Sequence, residues 1–204
     1  MRGATSLLVV AMVLWSVGAH AAPPASDPDW PCRQRLVPEL TAATFWSGPK
    51  LPAEGDWHAD KRVASEAASL ADRDLPIDDG IARFGHFADT LKPAERTALL
   101  PELFLGIVAE TNHQRGEIIS RIKDLARRQR GLGDVVAKVT AELRELPANP
   151  VGDDAKRHDE IIQRRDFVIR SFEETERTMR YACEVPVELE ARLGSYAGAI
   201  KARL

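Results

Sequence analysis

Residues 101–146 read PELFLGIVAETNHQRGEIISRIKDLARRQRGLGDVVAKVTAELREL, and residues 154–183 read DAKRHDEIIQRRDFVIRSFEETERTMRYAC. In the first stretch, one set of positions recurs at alternating steps of four and three: Phe104, Val108, Thr111, Arg115, Ile118, Ile122, Leu125, Gln129, Leu132, Val136, Val139, Leu143 and Leu146. This is the a/d spacing of a heptad repeat, interrupted by polar residues only at Thr111, Arg115 and Gln129. The spacing predicts a long helix that forms one arm of a coiled coil.

A short turn separates the two stretches. Residues 147–152, PANPVG, contain two prolines and a glycine, which are typical of turns and not of helix interiors. Asp153 or Asp154 then provides a cap for the returning helix. The sequence therefore predicts an all-α protein built on a long antiparallel coiled-coil hairpin, with arms at about 101–146 and 154–183.

The remaining apolar residues predict a small helical head on this hairpin. Their spacing indicates helices at about 57–72 and 78–91, separated by Leu75-Pro76. Val185-Pro186 is expected to end the second arm, so that a last helix runs from about 187 to 203. Residues 57–204 should therefore form a single helical domain.

Residues 1–21 have the pattern of a signal peptide. Arg2 precedes an apolar run at 7–15, and Ala19-His20-Ala21 matches the small-x-small cleavage signal. The apolar run is shorter than the roughly 20 residues that a membrane-spanning helix needs. We therefore expect export to the periplasm or to the outside of the cell, with no transmembrane segment after cleavage.

Two cysteines follow the leader, Cys32 and Cys183. An even number of cysteines in an exported chain favours a disulfide, which would join the N-terminal segment to the end of the second arm. The alternatives are two free thiols or a redox pair. No C-x-x-C redox motif is present in the sequence.

Residues 22–56 form an irregular, proline-containing segment, which we call the strap. The strap also contains Trp30, Phe45 and Trp46, which a disordered linker would not need. It either buries these side chains against the helices or exposes them as a recognition segment. We favour the first interpretation, because a disulfide at Cys32 would tether the middle of the strap.

The strap carries the motif Asp29-Trp30-Pro31-Cys32-x-Gln34-Arg35, followed by Val37-Pro38 and Trp46-x-Gly48-Pro49. In these residues the chain resembles a group of uncharacterised exported bacterial helical proteins. The resemblance implies a location in the cell envelope. It implies no known activity and no catalytic residue.

The returning arm carries more apolar side chains than one helix seam can bury. We assign Ile161, Phe167 and Ile169 as a hypothetical partner contact, with Phe167 lying off the seam. Either a head helix covers this face, or it contacts a protein partner or a second copy of the chain. Isolated exposed apolar residues are also common in proteins.

Polar residues interrupt the first arm at Thr111, His113, Arg115 and Gln129. Such a polar layer fixes the register of paired helices, or it lines a pocket between them. If the arms fold back about residue 150, facing residues have numbers that sum to roughly 300. Arg115 should then pair with Glu184.

Arg127, Arg128 and Arg130 form a basic cluster on the same arm. Asp124 and Asp134 flank it, so a solvated face is a better interpretation than a site for anions or lipid headgroups. The chain as a whole has a formal net charge of −3, which argues against a nucleic-acid binder.

The sequence contains no H-E-x-x-H or EF-hand motif and no G-x-S-x-G nucleophile elbow. We therefore assign no metal, cofactor or catalytic residue and do not expect an enzyme. The expected function is that of an exported scaffold, adaptor or chaperone-like protein, acting through protein contacts of the hairpin. The alternative is a small-ligand or metal-binding bundle that uses the polar layer near His113 and Arg115.

Overall fold

The structure, a computed structural model, describes residues 27–52 and 55–204, and the signal-peptide prediction for 1–21 lies outside these residues. The described chain contains helices and no strand: α1 (Ala42–Phe45), α2 (Lys61–Ala71), α3 (Ile77–Thr90), α4 (Pro93–Arg144) and α5 (Asp153–Lys201). Helices α4 and α5 are antiparallel neighbours that pack against each other. The predicted all-α helical hairpin is therefore confirmed.

The two predicted head helices are present as α2 and α3 and pack on the base of the hairpin. Asp60 caps α2 by accepting a hydrogen bond on Oδ1 from the backbone N–H of Arg62 at 2.8 Å. Asp78 and Asp79 place negative charge in the first turn of α3, where the helix dipole favours it. At Gly80, α3 approaches Tyr196 of α5 so closely that a Cβ would collide with the phenol hydroxyl.

The main core of the molecule lies where α2, α3, the first half of α4 and the end of α5 meet. Its fully buried members include Leu70, Phe84, Phe104, Leu193 and Ile200. A smaller cluster lies further along the hairpin, where Ile118 and Ile122 pack with Leu189 and with the strap residues Trp30 and Cys32. Burial of these side chains is the main stabilising contribution to such a fold.

The predicted helix ends around the prolines are wrong. Helix α4 begins at Pro93 and not at about 101, and it continues through Pro101. Helix α5 continues through Pro186 to Lys201, so there is no separate last helix at 187–203 and the second arm does not end at 183. Interior proline removes one helix hydrogen bond and costs about 3 kcal/mol, which tertiary packing must offset.

Both interior prolines are buried, which indicates that packing retains the helices across them. At Pro186 the strap also contributes a hydrogen bond. Gln34 Nε2 donates to the carbonyl of Cys183, within the turn that Pro186 disturbs. A prediction from the sequence around Pro186 does not account for this donor, because Gln34 lies 149 residues away from Cys183 along the chain.

The register of the hairpin also differs from the prediction. Arg115 pairs with Glu190, Gly133 faces Phe172, and Arg164 bonds to Glu142, so that facing residue numbers sum to 305 or 306 and not to 300. The connection at 145–152 extends beyond the end of α4. The first two turns of α5 therefore lie opposite this connection instead of opposite α4.

The strap runs antiparallel to α4 along the hairpin. The side chain of Asn112 in α4 forms two hydrogen bonds with the backbone of Leu40. Its Oδ1 accepts from the Leu40 N–H at 2.9 Å, and its Nδ2 donates to the Leu40 carbonyl at 2.8 Å. Trp46 stacks on Phe104 with 5.0 Å between ring centroids. Trp30, Phe45 and Trp46 are all partly buried against the helical body. The segment expected to be irregular also contains the one-turn helix α1.

The predicted disulfide is confirmed. Cys32 of the strap and Cys183 of α5 are bonded, with 5.6 Å between their Cα atoms. The bond fixes the strap to α5 beside Trp30, whose Nε1 donates to the carbonyl of Gln34 at 2.8 Å. The residues Trp30, Cys32 and Gln34 of the strap motif therefore all have a structural function.

Candidate functional site

The four residues of the predicted polar layer do not converge on one site. Thr111 and Arg115 are buried, whereas His113 is exposed, with its Nε2 3.7 Å from Glu117 Oε1. Gln129 is partly buried and lies about 21 Å further along α4 than Arg115, at 1.5 Å per residue. This arrangement does not favour the ligand- or metal-binding alternative.

Arg115 connects three parts of the fold. Its side chain is 2% exposed, Nη1 donates to the carbonyl of Val37 at 3.0 Å, and Nη2 donates to Glu190 Oε1 at 2.8 Å. Burial lowers the pKa of Arg115, while the charge and hydrogen bond of Glu190 act in the opposite direction. The predicted partner Glu184 is wrong; the observed partner lies six residues further along α5.

The basic cluster of α4 is held by the strap. Arg127 Nη1 donates to Asp29 Oδ2 at 2.6 Å, and Arg130 donates to the other oxygen of Asp29. The hydrogen bond from Arg127, followed by that from Arg130, holds the pKa of Asp29 below its ordinary value. Lys123 Nζ lies 2.7 Å from Asp27 Oδ2. These cations attach the strap, which favours a structural function over a headgroup site.

The three residues of the hypothetical partner contact lie on different faces of α5. Ile161 is buried at a seam position shared with Val168 and Thr175, seven and fourteen residues on. Phe167 is 64% exposed, and Ile169 is partly buried. Residues two apart on an α-helix point about 200° apart, so Phe167 and Ile169 lie on opposite flanks. They cannot form one contact surface.

Two neighbouring grooves lie along the flank of α5 that carries Ile169, and we call them together the α5 groove. Its distal part, of about 380 Å³, is lined by Gly133, Val136, Ile169, Phe172, Glu173 and Glu176. Its proximal part, of about 550 Å³, lies between strap residues 31–34 and α5, and is lined on the α5 side by Glu176, Met179, Arg180, Cys183, Glu184, Val187 and Glu188. The two parts are neighbours, because Glu176 lines both.

The floor of the α5 groove is apolar. Ile169, Phe172, Met179 and Val187 follow one another at helical spacing, and Val187 is 48% exposed. The heptad pattern alone misses this floor, because Phe172 and Met179 follow Val168 and Thr175 by four residues and so occupy seam positions. The signal for it is a second apolar stripe on α5, beside the seam that contains Val168.

Some site types are absent from residues 27–52 and 55–204. There, no three His, Cys, Asp or Glu side chains lie close enough together to hold a metal ion. None of the helices described is both long and apolar enough to cross a membrane.

Comparisons of the chain with protein-family models, with curated proteins and with solved structures each returned no match. The structure itself defines the class of protein: an all-α helical hairpin with a small helical head and a disulfide-linked strap. One surface feature with apolar character in the described part of the chain is the α5 groove.

Proposed function

We propose that this chain is an exported, non-catalytic protein of the scaffold, adaptor or chaperone-like type, which binds another protein or a second copy of itself through its hairpin. The observation that carries the proposal is the α5 groove. Among the described residues, its floor of Ile169, Phe172, Met179 and Val187 is not covered by a further helix. Surface patches of this kind are typical of protein-interaction sites.

The shape of the groove supports a protein ligand over a small molecule. From Ile169 to Val187 the floor extends along α5 for about 27 Å, at 1.5 Å per residue. Small-molecule sites enclose most of the ligand surface in a compact cavity. A long groove between helices instead matches the way in which a partner helix or an extended segment is bound.

Three features support export. Disulfides form and persist in oxidising compartments, and Cys32 and Cys183 are bonded. The leader pattern at 1–21 and the resemblance of the strap motif to exported bacterial proteins agree with this compartment. Periplasmic or secreted location, cleavage of the leader and coiled-coil pairing of the distal arms are parts of the same proposal.

A photo-crosslinking experiment tests the protein-binding proposal. The crosslinking amino acid p-benzoylphenylalanine replaces Phe172 in the groove or, as a control, Tyr181, which is 69% exposed. Nine residues separate the two positions, so they point to opposite sides of α5. Irradiation of intact cells should give a discrete protein adduct from position 172 and none from position 181.

The outcome distinguishes the possible partners. An adduct with twice the mass of the chain assigns the groove to a second copy, whereas another mass assigns it to a different protein. Equal crosslinking from both positions, or none from position 172, would contradict the proposed use of the groove.

A further inference from the structure

We propose that the segment bound in the α5 groove is a cationic amphipathic helix of another protein. This inference rests on the proposed function and names the chemistry of the partner. The apolar face of the helix packs on Ile169, Phe172, Met179 and Val187. Its lysine or arginine side chains lie against the carboxylates at the edge of the groove.

The groove has an excess of negative charge. Four glutamates line it, Glu173, Glu176, Glu184 and Glu188, against two arginines, Arg33 and Arg180. One pair is neutralised internally, because Arg180 Nη2 lies 3.4 Å from Glu176 Oε1. Among the described residues, the other three glutamates form no ion pair, and Arg33 is the other cation in the groove lining.

The three free carboxylates extend along α5 from Glu173 to Glu188, about 22 Å at 1.5 Å per residue. A helix lying beside α5 presents one flank over the same length, so its cations can reach all three. At physiological ionic strength the Debye length is about 8 Å, so charges must lie close to these carboxylates to interact. Direct packing of a helix in the groove meets this condition.

A helix is also the element that fits the packing geometry. Opposite Ile169 and Phe172 the groove lies between α4 and α5, with Gly133 and Val136 as its other wall. A third helix seated there completes a three-helix arrangement, with the interaxial spacing of about 8–10 Å that helix packing requires. Gly133 faces Phe172 in this part of the groove, because a Cβ on Gly133 would lie 3.8 Å from the Phe172 ring.

The charge disfavours two other occupants. A second copy bound groove to groove would bring the same four glutamates against these four, and like charges in contact oppose association. Residues 22–26, APPAS, which precede the described strap, contain no lysine or arginine. A cationic segment of a different protein is therefore the occupant that the groove favours.

The test uses two synthetic amphipathic helices of about 18 residues, which match the length of the groove floor. One consists of leucine and lysine, and the other consists of leucine and glutamate in the same pattern. Fluorescence anisotropy measures their binding to the purified oxidised protein at low and at physiological ionic strength. We expect the lysine peptide to bind and its affinity to fall as the salt concentration rises. The glutamate peptide should not bind.

A triple variant, Glu173→Gln with Glu184→Gln and Glu188→Gln, removes the free carboxylates. It should lower the affinity for the lysine peptide by roughly tenfold, since each exposed ion pair contributes only modestly to the binding free energy. The matched control triple, Glu145→Gln with Glu160→Gln and Glu174→Gln, removes the same charge at exposed positions outside the groove lining. It should change the affinity by less than about twofold.

Several results would overturn the inference. They are an equal loss of affinity in both triple variants, equal binding of the two peptides, or no binding of the lysine peptide.

The cellular adduct from position 172 separates failure of this inference from failure of the proposed function. An adduct that persists unchanged in the groove triple leaves the hairpin as a binding surface but excludes recognition by charge. An adduct of twice the chain mass assigns the groove to a second copy and likewise overturns the inference. Loss of the adduct in the groove triple but not in the control triple supports both proposals.

Discussion

Replacing Arg115 with methionine is a test of both the hairpin register and the attachment of the strap. The Arg115 side chain is 2% exposed and holds the Val37 carbonyl and Glu190 together. Methionine retains an unbranched apolar side chain that adapts to its surroundings, so the change removes mainly the polar contacts. The strap and α5 would both lose their connection to α4 at this point.

The size of the effect follows from the burial of the pair. Removing one partner from a buried ion pair costs about 3–5 kcal/mol. Glu190 is 38% exposed and regains water when Arg115 is lost, so we expect the low end, about 3 kcal/mol. For a chain of this length, that loss lowers Tm by about 6–12 °C.

A double-mutant cycle makes the prediction specific. Arg115→Met combined with Glu190→Ala should show a coupling of about 2 kcal/mol, because the two side chains share a buried contact. Arg115→Met combined with Glu184→Ala should be additive within about 0.5 kcal/mol, since Glu184 is not the partner in the structure. Urea unfolding with the disulfide intact, followed by circular dichroism, gives all the required free energies.

A cost of less than about 1 kcal/mol for Arg115→Met would contradict this expectation, because the pair would then behave as an exposed one. A coupling with Glu184 instead of Glu190 would contradict it as well. That second result would mean that the hairpin has the register expected from a turn centred on residue 150.

Three further outcomes are expected. Gly80→Ala brings a methyl group against Tyr196 and should cost about 1–3 kcal/mol, whereas Gly116→Ala, which faces open space, should stabilise by up to about 1 kcal/mol; thermal unfolding compares them. Reduction of the disulfide should destabilise by at most about 5 kcal/mol, the chain-entropy value for a separation of 151 residues, and an unchanged urea midpoint would refute this. The hydrogen bond from Arg62 lowers the pKa of Asp60 from 3.8 to about 2. The contribution of this hydrogen bond to stability is therefore fully present above about pH 3.8 and is lost as the pH falls through about 2. Carboxyl NMR should show that midpoint and a return toward 3.8 in Arg62→Gln; a wild-type midpoint near 3.8 would contradict it.

The elements that local pattern predicted correctly are those with a strong periodic signal. The seam from Phe104 to Leu143 identifies α4 as a helix, because apolar spacing of 3.5 residues has few other interpretations. The disulfide followed from two cysteines behind a leader pattern, which is a chemical argument about the compartment and not about geometry.

The errors occur where distant residues compensate for a local preference. Pro186 predicts a break, yet α5 continues through it, with Pro186 buried and with Gln34 of the strap bonded to the nearby carbonyl of Cys183. Arg115 pairs with Glu190 instead of Glu184, because the turn between the arms is not symmetric. The first two turns of α5 lie opposite the connection and not opposite α4, which shifts the register. Neither effect is visible within a window of one helix.

The candidate site shows the same division. Sequence singled out Phe167 as excess apolar surface on α5, and its side chain is indeed exposed. The groove itself lies on the opposite flank, with Met179 and Val187 in its floor and the strap as one wall. Only the tertiary fold places strap residues 31–34 beside residues 176–188, where they form one wall of the groove. No local pattern in the sequence relates the two segments.

The sequence by itself determined that this chain forms long paired helices, a small head and a cross-linked strap, because apolar periodicity and cysteine chemistry act locally. Only the tertiary structure decided the register of the hairpin, the continuity of α4 and α5 through their prolines, and the position of the α5 groove. These features depend on how the buried side chains, backbone carbonyls and charges of distant segments satisfy one another, as Arg115 does for Val37 and Glu190.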